Sequence, residues 1–272
     1  MQDRDPSSYR LAAIDLDDTL LGPDKKISAA NASAVHRLRE RGVRITLASG
    51  RRHDNILRFH RQLDLDGPIV SCQGGFVKHA ETEEIMYQHF VPSDVAAAVV
   101  ADAATEKMSV VYYRPDGVYV RARNADTDIY ERNTGEKVIE HGNLEQLAGD
   151  APLKIIWVSS PEHVAERFPA MTGRYLGRSD VVITNPEYME FVPHGVNKAV
   201  GVAVVASHYG IQPSHVMAFG DGNNDVALLE WAGLSVAMSH GRESAKAAAD
   251  LISPDGDPAT SFARAVAEIL PR

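Results

Sequence analysis

In the first third of the chain, short apolar runs alternate with stretches whose apolar residues recur at helical spacing, a pattern that predicts βαβ units and a parallel sheet. Leu11 to Leu16 reads as a buried strand. Ser28 caps a helix that places Ala32, Val35 and Leu38 on one face, and Gly42 closes it where a left-handed residue is commonly needed. Val43 to Ala48 reads as a second strand, a helix follows from about His53 to Leu63, and Pro68 leads into a third strand at Ile69 to Cys72. Past Gly74 the rhythm changes. Phe76 to Lys78 and Ile85 to Phe90 read as a hairpin, a helix runs from Ser93 to about Lys107, and Met108 to Tyr113 pairs with Val118 to Ala122 across a Pro-Asp-Gly turn. A helix near Asp126 to Arg132, a polar connection through residue 150, a strand at Leu153 to Ser159, a helix at 161–171 and short strands at 181–184 and 188–192 complete this antiparallel stretch. From Val196 the first rhythm returns, with a helix to Gly210, strands at Val216 to Phe219 and Leu234 to Ala237, a helix from about Asp225 and another from Pro258. The expectation is an α/β protein: a doubly wound, mostly parallel Rossmann-like core over 1–82 and 188–272, interrupted by an inserted α+β domain over 83–187. Residues 1–8 read as a loose polar tail.

The chain has 272 residues, 44% of them hydrophobic and 24% charged, and no run approaches the roughly 20 apolar residues of a membrane helix. No secretory signal is expected at its start, and the single cysteine, Cys72, leaves no internal disulfide or thiolate metal cage, so the expected compartment is the cytoplasm. A net charge of −9 opposes a nucleic-acid partner. An acidic protein that handles phosphate needs a cation or local basic residues to offset repulsion.

Four clusters carry candidate chemistry. The first is Asp15-Leu16-Asp17-Asp18-Thr19-Leu20, at the carboxyl end of the first strand, where open α/β sheets bind ligands. Two like charges about 4 Å apart at an effective dielectric near 20 cost roughly 4 kcal/mol, which a divalent cation relieves. Hard oxygen ligands favour Mg²⁺. In the second cluster, Ala48-Ser49-Gly50-Arg51, a small hydroxyl and a glycine can bring Oγ and backbone N–H groups close to phosphate oxygens, although Ser-Gly after a strand is more commonly a turn and helix cap. The third is Lys198, a point charge suited to a phosphoryl group, although a lysine at a helix start is usually solvated surface. The fourth, Gly220-Asp221-Gly222-Asn223-Asn224-Asp225, lacks the last glycine of a dinucleotide loop, and no P-loop string occurs anywhere in the chain. Its carboxylates and amides suit a metal ligand and hydrogen-bond donors.

The order Asp-x-Asp-x-Thr, Ser-Gly, a late lysine and Gly-Asp-x-x-Asn-Asp resembles the haloacid dehalogenase superfamily over nearly the whole chain. The strings Leu-Asp-Asp-Thr-Leu-Leu, Ala-Ser-Gly-Arg and Gly-Asp-Gly-Asn-Asn-Asp look like those of Cof-type phosphatases with a type IIB α/β cap. That resemblance implies a Mg²⁺-dependent phosphatase acting on a small phosphorylated metabolite, a sugar phosphate or phosphorylated cofactor. Asp15 would be the nucleophile, forming an aspartyl-phosphate, and Asp17 the general acid and base. Asp15, the backbone carbonyl of Asp17 and the side chain of Asp221 would hold Mg²⁺. Leu16 N–H, Ser49, Gly50, Lys198 and Asn224 would contact phosphate, with Arg51 and Asp225 as supports. Asp18 departs from the glycine many relatives carry there, and aspartate tolerates turn conformations. The cap would set specificity, while Arg121, Arg123 and Tyr112 read as surface or packing residues. Two alternatives stand beside this reading: a phosphomutase-type transferase of the same superfamily, and a non-catalytic regulator that merely accepts phosphate.

Overall fold

The computed structural model describes residues 8–270, so the expected polar tail lies, apart from Ser8, outside the described residues. The chain divides into two compact units, one running up to Tyr87 and resuming at Asn197, the other spanning Gln88–Val196.

The first unit opens with β1 (Leu11–Ile14), buried at every position as a strand covered on both faces must be. α1 (Ala29–Glu40) starts at Ser28, whose Oγ accepts the Asn31 N–H at 3.2 Å, and Gly42 follows it with φ 78°. β2 (Arg44–Leu47), α2 (His53–Gln62) and β3 (Pro68–Ser71) continue the alternation, Pro68 standing at the first strand position, where a missing N–H is tolerated. β4 (Phe76–His79) then folds back antiparallel on β3, and β5 (Ile85–Gln88) lies beside β4.

The second unit contains α3 (Ser93–Thr105), β6 (Ser109–Arg114), β7 (Gly117–Val120), α4 (Ala125–Thr134), β8 (Val138–Glu140), β9 (Lys154–Val158), α5 (Pro161–Tyr175), β10 (Ser179–Asn185) and β11 (Tyr188–Pro193). Its sheet runs β10-β11-β9-β6-β7-β8, antiparallel except where β7 meets β8. Alternation along the strands sends Tyr112, Ile155, Trp157, Met189 and Phe191 into a core with Val95, Val99, Val164 and Tyr175 of α3 and α5. The intervening positions carry a buried Lys154–Glu190 ion pair at 2.8 Å, with Lys154 Nζ 4.6 Å from the centre of the Tyr113 ring.

The first unit resumes with α6 (Lys198–His208), β12 (Val216–Gly220), α7 (Val226–Trp231), β13 (Leu234–Ala237), α8 (Glu243–Ala248), β14 (Leu251–Ile252) and α9 (Ser261–Ile269). Its parallel sheet runs β14-β13-β12-β1-β2, and a single parallel bridge from Ala48 to Val70 carries it on to β3. Ala12 and Ile14 face one core with residues of α1, α2 and α9, whereas Leu11 and Ala13 face another with residues of α6, α7 and α8. The sheet is doubly wound. Strand order reverses between β1 and β12, which opens a crevice at their carboxyl ends.

Several details differ from the sequence reading. The units meet after Tyr87 and Val196, not at 83 and 187, because β5 belongs to the sheet of β3 and β4 while β11 is paired on both sides within the second unit. The polar connection through residue 150 holds β8 and a turn of 3₁₀-helix at Leu144–Gly149, and α8 and β14 follow β13 where no element was expected.

Candidate active site

Asp15 directly follows β1, and its N–H donates to the Phe219 carbonyl of β12 at 3.0 Å, which fixes it at the strand reversal. The chain leaves through a distorted turn over Leu16–Leu20, in which Asp17 and Asp18 depart from helical geometry. Buried Asn31 anchors that turn, donating to the Leu20 carbonyl at 2.8 Å and accepting the Ala263 N–H at 3.0 Å.

Lys198 is fully buried at the start of α6, and its Nζ donates to Asp15 Oδ1 at 2.5 Å and Asp225 Oδ1 at 2.6 Å. This corrects the solvated-surface expectation for an isolated lysine. Asp225 Oδ2 accepts the backbone N–H groups of Asp221 at 3.0 Å and Gly222 at 2.9 Å, and Thr19 Oγ1 donates to Asp221 Oδ1 at 2.9 Å. Segments from β1, α6 and the loop after β12 thus meet in one network. Burial pushes the Asp15 carboxyl well above its usual range, with the charge of Lys198 opposing. Burial, then the charge of Asp225, brings Asp221 up to about 7, against the hydrogen bond from Thr19. Burial works to lower Lys198, but Asp15 and Asp225 outweigh it and hold the ammonium above its ordinary value.

Oxygens of Asp15, Asp221 and Asp225 lie within 4.8 Å of one another, a cluster of three carboxylates compact enough to hold an ion. When ionised, these three charges face the single charge of Lys198. Hard oxygens carrying a surplus of negative charge in a buried site fit a divalent cation such as Mg²⁺. Asp225 stands in this group although the sequence suggested only a support; its oxygens are engaged by Lys198 and two N–H groups.

The side chain of Asp17 points elsewhere. Arg51, 5% exposed, grips it through Nε and Nη2, each at 2.7 Å, and donates through Nη1 to Asn55 Oδ1 at 2.8 Å. Burial works to raise the Asp17 carboxyl, but hydrogen bonds and charge from Arg51, joined by Lys25 at 3.3 Å, hold it below its usual range. In this arrangement the Arg51 clamp favours the carboxylate form of Asp17. Asp18 adopts φ 59°, its carboxylate meets Lys25 at 3.2 Å, and its carbonyl accepts from His240 Nε2 at 2.7 Å.

Ser49 is buried after β2, its Oγ accepting the Arg51 N–H at 3.3 Å. At Gly50 a Cβ would lie 2.5 Å from Gln73 Nε2, so a larger residue there would push the Gln73 carboxamide aside. Asn224 Nδ2 donates to Gln73 Oε1 at 3.0 Å. Leu16 is buried, and its carbonyl accepts the Leu21 N–H at 2.8 Å. Sequence reasoning missed Gln73, Asn55, the seat of Lys25 and the role of Asn31, and gave Thr19 no task. The pair Gly74-Gly75 after an apolar run was the available signal for an unusual turn beside Gln73.

Residues 12–265 match the haloacid dehalogenase-like hydrolase family, and the chain belongs to it. Within that family it is a Cof-type member and a phosphoric monoester hydrolase. It is 31% identical over 248 residues to the 5-amino-6-(5-phospho-D-ribitylamino)uracil phosphatase YitU of Bacillus subtilis, covering 87% of this chain and 88% of that one. It is also 29% identical over 258 residues to the chloroplastic endoribonuclease YBEY of Arabidopsis thaliana, a match that takes in 89% of this chain but spans 44% of that protein. A haloacid dehalogenase-like hydrolase from Bacteroides thetaiotaomicron shares the fold with a TM-score of 0.85 at 27% identity, covering 96% of this chain and 100% of that one. A subclass IIB sugar phosphatase does so with a TM-score of 0.84 at 21% identity, covering 96% and 100%.

Proposed function

We propose that the chain hydrolyses small phosphate monoesters through a phosphoryl-Asp15 intermediate, with Mg²⁺ held by Asp15, the Asp17 carbonyl and Asp221. The observation that carries this reading is Lys198 Nζ, excluded from water and seated between Asp15 and Asp225 at the carboxyl end of β1. Lys198 directs the nucleophilic carboxylate and offsets its charge, so an anionic phosphoryl group can approach. When bound, Mg²⁺ supplies positive charge to the phosphate oxygens. Leu16 N–H, Ser49, Gly50, Lys198 and Asn224 position the phosphate.

An Asp15 oxygen bonds to phosphorus as the ester P–O bond breaks, and Asp17 protonates the leaving oxygen. Water then attacks phosphorus and gives its proton to Asp17; the Asp15–phosphorus bond breaks and inorganic phosphate leaves. Because the Arg51 clamp favours the Asp17 carboxylate, Asp17 takes its first proton from solvent water after turning away from that clamp, and each later one from the hydrolytic water. The name of the YitU relative supports a phosphorylated small metabolite, a sugar phosphate or phosphorylated cofactor, as the substrate. Substrate choice is assigned to the inserted unit, which supplies none of the phosphoryl-site residues. The single cysteine, Cys72, allows no internal disulfide, which supports the cytoplasm as the compartment. Phosphate release across a panel of monoesters, with Mg²⁺ and then with EDTA, tests the reading. Turnover should stop with EDTA and fall at least about 10³-fold in Asp15→Asn, while a wild-type protein silent on the whole panel overturns it.

A further inference from the structure

Between β3 and β4 the chain makes a buried turn at Cys72–Gly74 in which three successive residues have positive φ: 51°, 60° and 93°. Cysteine and glutamine seldom adopt that region, so the surrounding structure must hold them there. Three of the four chemical clusters touch this turn. Cys72 N–H donates to the Arg51 carbonyl at 2.9 Å and Gln73 N–H to the Ser49 carbonyl at 3.2 Å. The Gln73 carboxamide lies against Gly50, and its Oε1 accepts from Asn224 Nδ2 at 3.0 Å. At Gly74 a Cβ would stand 2.0 Å from the Asn197 carbonyl, just before Lys198.

We infer that Gln73 is a positioning residue of the phosphate pocket: its carboxamide fixes the Asn224 amide and the Ser49–Gly50 loop in the geometry that receives the phosphoryl group. This rests on the phosphatase reading above, in which Asn224, Ser49 and Gly50 contact phosphate. An amide nitrogen has two N–H donors; with one given to Gln73 Oε1, the other is held in a fixed direction. Asn224 sits beside Asp225, whose carboxylate seats Lys198, so losing the Gln73 contact loosens the amide while leaving the Asp225–Lys198 pair intact. The packing against Gly50 adds a second constraint, because a carboxamide in place of solvent keeps that loop from drifting.

The test uses the full chain and two variants. Gln73→Gly suits a residue at φ 60° and removes the side chain. Gln73→Leu keeps comparable bulk without the amide. The readouts are kcat/KM for the best monoester, the inhibition constant of inorganic phosphate with Mg²⁺, and the thermal midpoint. Gln73→Gly should fold with a midpoint at or above wild type, bind inorganic phosphate about tenfold more weakly and lose about tenfold in kcat/KM; Gln73→Leu should match it, and if Leu fails to fold the glycine variant decides alone. In an Asn224→Ala background the same change should cost clearly less than tenfold, because the part of its effect that passes through Asn224 is already lost. Gln73→Gly within about twofold of wild type in both kinetic readouts, or a full tenfold loss persisting without Asn224, overturns the inference. A wild-type chain releasing no phosphate from any ester would instead sink the phosphatase reading, which the variants do not test.

Discussion

A lysine belongs in water unless fixed charges receive it, and Lys198 is received by two carboxylates that would otherwise repel each other across the site. Breaking such a buried arrangement from one side costs about 3–5 kcal/mol, since the remaining charges lose their partner. Lys198→Met should therefore lower the urea midpoint by a corresponding amount at pH 7 and reduce kcat at least about 100-fold. His53 presents the opposite case. It is buried beside Phe76, neither ring nitrogen has a hydrogen-bond partner among the described residues, and burial, then the charge of Lys78, pushes it down to about 4 from an ordinary 6.5. The folded state binds that proton less readily than the unfolded chain, so stability present above pH 6.5 is lost as pH falls toward 4. His53→Leu should remove part of that acid-side loss, on the order of 2 kcal/mol at pH 4 in denaturation curves; an unchanged slope between pH 7 and 4 would contradict the assignment. At this scale the sequence was legible for the candidate carboxylates Asp15 and Asp221, which the structure brings together. It was not legible for partners, since nothing near Asp17 indicates that Arg51, 34 positions away, will hold its carboxylate.

The elements explain why those side chains converge. β1 and β12 end side by side, so Asp15 and the Gly220–Asp225 loop share one edge, and the turn at Cys72–Gly74 buttresses the second cluster. Gly74→Ala would force a Cβ into the Asn197 carbonyl at φ 93°, and the expected loss is about 3 kcal/mol or more, read as a lower thermal midpoint. In the second unit, the Lys154–Glu190 pair bridges β9 and β11 inside the sheet packing. Lys154→Met or Glu190→Leu alone should each cost about 3–5 kcal/mol, while the double variant should lose less than either single one, because no buried charge is then stranded. Strands with uninterrupted apolar runs and capped helices were legible from sequence. β8, with only Val138 buried of its three residues, and β14, exposed at both, lack such runs, and tertiary pairing alone makes them strands.

For the whole molecule, the interruption of the core between its second and third clusters was legible as a change of rhythm, and the structure gives two units with separate cores. The exact junctions were not legible, since β5 reads as a strand whichever sheet it joins. The net charge of −9 sets the electrostatic problem that Lys198 answers locally. The claim on which everything rests is that Asp15 itself becomes phosphorylated. Wild-type protein mixed with its best monoester and Mg²⁺, quenched in borohydride within one turnover and digested, should show reduction at Asp15, with none in the Asp15→Asn protein. Steady turnover with Asp15 unmodified, or modification at another carboxylate, would contradict it.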